Sequence, residues 1–94
     1  MTSDELEVIL KQAQTKADKE GFASTPDGVT LTLHAAHNGG AISIGRVDGI
    51  KLSGEVVIAR TAKRETTYAV VRSDLFAVAI EGASSTPQRR AGFT

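Results

Sequence analysis

The dipeptide Asn38-Gly39 separates two stretches in which apolar residues occupy every second position. Such alternation is the period of a β-strand with one buried face, and Asn-Gly is the favoured pair for a two-residue type I′ hairpin. A turn at these residues places Ala35 opposite Ile42. It also places Leu33 opposite Ile44, so the apolar residues of both strands share a face. The turn therefore sets the register, because a slip of one residue would send every side chain to the other face.

The alternation predicts five antiparallel strands that follow one another as a meander. Residues 29–36 and a short segment at 42–44 form the first hairpin, and residues 50–59 continue the same period. Two further strands are expected near residues 65–72 and 75–81.

The stretch Val47-Asp48-Gly49 is expected to turn the chain between the second and third strands. A three-residue loop with Gly49 in the left-handed conformation pairs Ile44 with Leu52 and keeps both on the apolar face. A two-residue Asp-Gly turn would instead pair Ile44 with Ser53 and separate the two apolar sets. We therefore predict the three-residue loop.

The registers of the last two strands are less constrained. A loop at residues 62–64 pairs Ile58 with Tyr68. Ser73-Asp74 is expected to form the following corner: a two-residue turn directs the odd-numbered residues of the fourth strand inward, and a three-residue turn directs the even-numbered ones inward. The sequence leaves both arrangements open.

Residues 3–20, which precede the strands, show the period of about 3.6 residues that is typical of an amphipathic helix. Thr2 and Glu5 form a predicted capping box, with Ser3 as an alternative N-cap. Gly21 is expected to end the helix in the left-handed conformation. The apolar stripe of this helix consists of Leu6, Ile9, Leu10, Ala13 and Ala17.

These elements predict an α+β fold with a single N-terminal helix packed on a five-stranded antiparallel β-meander, as a curled sheet or small half-barrel. Residues 1–82 are expected to form one α+β domain. Residues 83–94 contain Pro87 and few apolar side chains, so they are expected to form a polar C-terminal tail.

The composition argues against several classes of protein. The chain has no cysteine, so neither a disulfide framework nor a thiolate metal site is expected, and a reducing compartment is compatible. Eleven basic and eleven acidic residues cancel, so the chain lacks the overall field that drives unspecific nucleic-acid binding. No apolar run approaches the roughly 20 residues of a membrane span, and the acidic start does not resemble a secretory signal. We therefore expect a cytoplasmic protein without membrane contact.

His34 and His37 are the residues that most resemble a metal or catalytic site. They are three apart, so in the hairpin the rings point away from each other, and His34 has Ser43 as its predicted cross-strand neighbour. Most carboxylates of the β region fall at turns or on the solvent face, so no pair that could perform acid–base chemistry is expected. We predict no metal, no cofactor and no catalytic residue, and hence a protein that is not an enzyme.

Basic residues gather around the third hairpin and could contact phosphate groups. Protruding basic β-ribbons do bind nucleic acid, although charged hairpin tips more often serve solubility. Nucleic-acid binding is therefore the alternative function. The candidate phosphate-binding residues are Arg60, Lys63, Arg64 and Arg72.

The second face of the predicted sheet carries unusually small residues. A strongly curled sheet could bury part of this face against itself, but small residues also let the backbone of a partner come close. Our leading hypothesis is a small non-enzymatic interaction module that binds a protein partner, or a second copy as a homo-oligomer, through this face or an open sheet edge. The candidate partner-binding residues are Ala41, Ser43, Gly45, Ser53, Val57 and Ala59.

Overall fold

The computed structural model describes residues 1–61 and 66–82. These residues form one helix, a curled antiparallel sheet and a short 3₁₀ turn, Arg72–Asp74. The predicted α+β fold is therefore confirmed, whereas the predicted tail, residues 83–94, lies outside the described residues. The elements are α1 (Ser3–Gln12), β1 (Lys16–Ala17), β2 (Ala23–Ser24), β3 (Val29–His37), β4 (Gly40–Ser53), β5 (Val56–Thr61), β6 (Thr67–Val71) and β7 (Leu75–Gly82).

α1 begins with the predicted capping box. The Thr2 hydroxyl accepts from the backbone N–H of Glu5 at 3.1 Å, and the Thr2 N–H donates to the Glu5 carboxylate at 2.8 Å. The helix ends at Gln12 and not near residue 20. Gln14 adopts a positive φ of 60°, and the N–H of Thr15 folds back onto the carbonyl of Leu10, which completes a Schellman C-cap without glycine.

The five longer strands follow the order β7-β3-β4-β5-β6. The small β1–β2 hairpin pairs with β4 through β2, on the same edge of β4 as β3. The Asn38-Gly39 turn is confirmed: both residues have positive φ, and Ala35 pairs with Ile42 as predicted. The last strand differs from a simple meander. β7 pairs with β3 and not with β6, because the 3₁₀ turn replaces the predicted corner at Ser73-Asp74.

β4 continues through the predicted loop at Val47-Asp48-Gly49, so that prediction is wrong. Two register shifts, one against β3 and one against β5, bend the strand at this point, and the positive φ belongs to Arg46 and not to Gly49. The shifts place Ile44, Val47 and Ile50 on the buried face, three residues apart. The bulges therefore change which alternate residues of the strand face the core, the role that we predict for a turn at these residues.

The chain reverses direction after β4, at Gly54-Glu55. Gly54 has φ 61°, the conformation that a type II′ turn requires at its first central residue. Our prediction places this glycine inside a strand, and it therefore assigns the residues of β5 to the wrong faces of the sheet. Ile58 pairs with Ala69 and not with Tyr68.

The core lies between α1 and the inner face of the curled sheet. The helix contributes Leu6, Leu10 and Ala13, and the sheet contributes Leu31, Leu33, Ala35, Ile44, Val47, Ile50, Val57, Ala59, Val70 and Leu75. Within the described residues, no helix is long and apolar enough to cross a membrane.

Candidate interaction surface

Two shallow grooves with mostly apolar walls lie on the surface of the described residues. Groove one has a volume of about 500 Å³ and lies between α1 and the start of β7, lined by Met1, Glu5, Val8, Ile9, Leu75 and Phe76. Groove two, about 550 Å³, lies between the β3–β4 hairpin and β6. Asp74 lines groove two and the next residue, Leu75, lines groove one. We call the two grooves together the apolar band.

Large apolar side chains are exposed along the apolar band. Val8 and Phe76 in groove one are 62% and 63% exposed, and Ile42 and Val71 in groove two are 57% and 45% exposed. Single exposed apolar residues are common, but several that line grooves are typical of a binding surface.

The exposure of Ile42 and Phe76 follows from the way the sheet bends. Ile42 pairs with Ala35 as predicted, but β5 pairs with β4 only from Val47 onward, so Ile42 lies beyond the part of the sheet that covers the core. Phe76 lies at a register shift between β7 and β3, since Leu75 and Ala77 have partners on β3 and Phe76 has none. Its ring lies 6.1 Å from that of His34.

Unpaired strand edges border the apolar band. Among residues 1–61 and 66–82, β6 pairs only with β5, and β7 pairs only with β3. In the same part of the chain, residues 40–46 of β4 pair only with β3. Exposed edges carry free N–H and C=O groups that can bind another strand.

Comparison with protein-family models, curated proteins and solved structures finds no match to this chain. A function therefore has to be inferred from the chain's own surface.

The predicted partner-binding residues are divided between the surface and the core. Ala41, Ser43, Gly45 and Ser53 are exposed. Val57 and Ala59 have no exposed surface, so their assignment to the outer face is wrong. The cause is the Gly54 turn, which inverts the faces of β5. The small-residue face is therefore confined to β4 and the strands beside it.

The two histidines are held apart, each by a different partner. His34 Nδ1 lies 2.8 Å from the Ser43 hydroxyl, the neighbour predicted for it, and His37 Nδ1 lies 3.1 Å from Asp74 Oδ1 at the edge of groove two. The fold brings Asp74 to His37 from across the sheet, which sequence proximity could not show. In the described part of the chain, no three His, Asp or Glu side chains come together as a metal site.

Arg60 is a buried structural residue and not an exposed phosphate contact. It is only 7% exposed, and its guanidinium donates to Asp48 at 3.0 Å, to Asp18 at 2.9 Å and to the Ser24 hydroxyl at 3.0 Å. The ring of Phe22 covers it, with 4.7 Å between the guanidinium carbon and the ring centroid. These contacts attach the β1–β2 hairpin to β4 and β5.

The electrostatic effect of this cluster is clearest at Asp18. The Arg60 guanidinium holds the pKa of Asp18 well below its usual value. The N–H groups of Phe22 and Glu20 also lower this pKa, whereas partial burial raises it. Asp18 therefore stays charged and paired throughout the neutral range.

The other predicted phosphate contacts do not form a basic surface in the described residues. Arg72 donates to the Gly54 carbonyl at 2.9 Å and lies 3.3 Å from the Glu55 carboxylate. Lys63 and Arg64 lie outside the described residues. The prediction that Arg60 belongs to an exposed basic set is wrong, because the carboxylates of Asp18 and Asp48 enclose it.

Proposed function

We propose that this chain is a small, non-enzymatic interaction module of the cytoplasm that binds a protein through the apolar band. The observation that carries the proposal is the set of exposed apolar side chains Val8, Phe76, Val71 and Ile42 that line the two grooves. The chain's lack of cysteine agrees with a reducing compartment, which supports the cytoplasmic part of the proposal.

The size of the apolar band indicates how much of it a partner has to cover. Full burial of one large apolar side chain contributes roughly 1.5–3 kcal/mol, and association costs an estimated 4–15 kcal/mol before any net affinity results. One or two contacts therefore do not suffice. The four side chains are between 45% and 63% exposed, so burying the rest of them contributes roughly 3–7 kcal/mol, at the low end of that cost. A partner therefore has to cover all four and add main-chain or polar contacts.

The open edges suggest how such a partner binds. A segment in extended conformation could pair with β6, β7 or the first half of β4 and place alternate side chains in the adjoining groove. This mode combines main-chain hydrogen bonds for affinity with pockets for specificity.

The polar side chains Glu5, His37 and Asp74 are engaged with other groups of the chain. In groove one, the carboxylate of Glu5 caps α1. In groove two, His37 and Asp74 bond to each other at the edge. Nucleic-acid binding, the alternative, finds no specific support, because Arg60 is enclosed and Arg72 is paired with Glu55.

Neighbouring residues of β4 provide the test. Ile42→Asp places a charge in groove two, whereas Ser43→Asp places the same charge next to it on the small-residue face. We expect Ile42→Asp to abolish binding and Ser43→Asp to preserve it. The assays are retention of proteins by the immobilised full chain, identified by mass spectrometry, and sedimentation of the free chain.

Two results would count against the proposal. If the wild type retains no protein and stays monomeric at about 100 μM, the chain has no affinity even at the weak end of specific interfaces. If Ser43→Asp abolishes binding and Ile42→Asp does not, the small-residue face is the binding surface and the apolar band is not.

A further inference from the structure

The outer edge of β7 is apolar over most of its length. Residues 75–80 read LFAVAI, without a charge, a proline or a hydroxyl group. β6 begins instead with Thr67 and Tyr68 and is followed by Arg72. Natural edge strands usually carry charges or proline that prevent pairing with another chain. The unprotected segment of β7 is therefore suited to pairing.

The inner side of β7 is incompletely covered by its own chain. Ile80 points to the same side as its buried partner on β3, Leu31, yet 40% of its surface is exposed. Val78 is also only half-buried against the core. A strand added beyond β7 would extend the sheet over both side chains.

A second copy of this chain can serve as the partner of this edge. An antiparallel strand can pair with its own copy across a two-fold axis, which makes the interface isologous. With the axis at Ala79, Val78 lies opposite Ile80 of the second copy, and both belong to the inner face. Glu81 then lies opposite Ala77 of the second copy. The Glu81 carboxylate is the only charged side chain of β7, and in this register it does not face Glu81 of the second copy.

The area of such an interface predicts its strength. β7 is eight residues long, so the paired edge extends about 27 Å and, for a sheet about 10 Å thick, covers roughly 300 Å² of each copy. A standard interface buries about 800 Å² per partner. In this register Gly82 of the second copy lies opposite Phe76, which lines groove one. Groove one therefore supplies further apolar area at that end of the strand. With roughly 600 Å² buried in total, the paired edges alone lie below the about 1,200 Å² of the smallest standard interfaces, so we expect a weak dimer that dissociates in the high micromolar range.

We propose that the chain forms a symmetric dimer in which β7 pairs antiparallel with β7 of a second copy, with the two-fold axis at Ala79. This inference goes beyond the proposed function, because the dimer contact is the edge of β7 and does not involve groove two.

Alanines on the two open edges allow a matched test with the full-length chain. Ala79→Lys places two like charges opposite each other at the axis, which opposes pairing. Ala69→Lys introduces the same side chain in the middle of β6. We expect Ala79→Lys to raise the dissociation constant at least tenfold by sedimentation, and Ala69→Lys to leave it unchanged, with folding checked by circular dichroism.

Cross-linking provides a second measurement that does not depend on tolerance of the lysine. The chain has no cysteine, and Ala79→Cys brings two thiols together at the axis, at the short Cβ separation that a disulfide needs. We expect a covalent dimer from Ala79→Cys under mild oxidation, and much less from Ala69→Cys.

Two outcomes would overturn the inference. A monomeric wild type at about 300 μM, with equal cross-linking of the two cysteine variants, would exclude pairing through β7. Loss of the dimer in Ala69→Lys but not in Ala79→Lys would place the contact on β6. If the wild type is monomeric but retains another protein in a manner sensitive to Ile42→Asp, the inference fails and the proposed function stands.

Discussion

Arg60 reaches its partners because residue 49 has no side chain. Gly49 lies between Ser24 on β2 and Arg60 on β5 in the pairing of the three strands, and the guanidinium extends across the glycine to the Ser24 hydroxyl. A glycine inside a strand is typical of such a close approach. The sequence contained this signal, but we interpreted Gly49 as a turn residue.

Gly49→Ala is expected to destabilise the fold by about 1–3 kcal/mol, as overpacking of a close-packed site does. A Cβ at this position would lie 2.6 Å from Nη2 and 2.9 Å from Cζ of Arg60. Gly45→Ala is the matched control on the same strand, because its nearest neighbour, the Thr32 hydroxyl, lies at 3.8 Å. Urea denaturation gives both free energies of unfolding.

The role of Arg60 in this effect can be separated from that of the backbone. In the double variant Gly49→Ala/Arg60→Ala the obstructing guanidinium is absent, so the glycine substitution should then cost much less. An equal cost in both backgrounds would show that the alanine is disfavoured for a reason unrelated to Arg60.

At the scale of elements, the β1–β2 hairpin depends on side chains more than on its own strands. Its strands are two residues long, and β2 pairs with β4 at only two positions. Asp18 compensates by accepting from Arg60, from Ser24 and from the N–H groups of Glu20 and Phe22. The hairpin is therefore attached to β5 through the ion pair between Asp18 and Arg60.

The attachment should weaken in acid. Because Arg60 lowers the pKa of Asp18 in the folded state, the unfolded chain binds a proton more readily once the pH falls below about 4. The stabilisation is thus present above that pH and is lost as the pH falls further. Asp18→Asn should be less stable than the wild type at neutral pH and should lose less stability between about pH 5 and pH 3.

Urea midpoints at several pH values measure this difference. Asp27→Asn, at an exposed turn residue, is the control and should show the wild-type pH profile. Parallel profiles for the wild type and Asp18→Asn would mean that the Asp18–Arg60 pair does not contribute to the acid sensitivity.

Turns with a strong local signal could be predicted, and those that depend on neighbouring strands could not. Asn38-Gly39 set the register of β3 and β4 correctly because both residues favour positive φ. The weaker signal at Gly54 was overlooked, since the alternation of apolar residues continues through it. The end of α1 was missed for a related reason, because Gln14 adopts a conformation that local sequence preference assigns to glycine.

At the scale of the whole molecule, zero net charge and the enclosure of Arg60 predict weak binding to nucleic acid. We expect affinity for short single- and double-stranded oligonucleotides no tighter than about 10⁻⁴ M at about 0.15 M salt. Titrations at several salt concentrations test this. Micromolar binding that is lost on neutralising Lys63 and Arg64, with folding intact, would instead favour the nucleic-acid alternative.

The apolar band could not be predicted from the sequence, although its residues were visible in it. Ile42 follows the alternation of the core, and its exposure arises because β5 pairs only with the second half of β4. Phe76 is turned outward by a shift in register that no local pattern indicates. The candidate site is thus a product of how the sheet bends, whereas the fold class followed from periodicity.

β4 pairs with β3 along its first half and with β5 along its second, and Val47 has a partner on both sides. Both pairings meet at Val47, so a fluctuation that releases either half of β4 disturbs the residue at which the other half begins. The molecule should open as one cooperative unit, and amide protons around the bend of β4 should be the slowest to exchange with solvent.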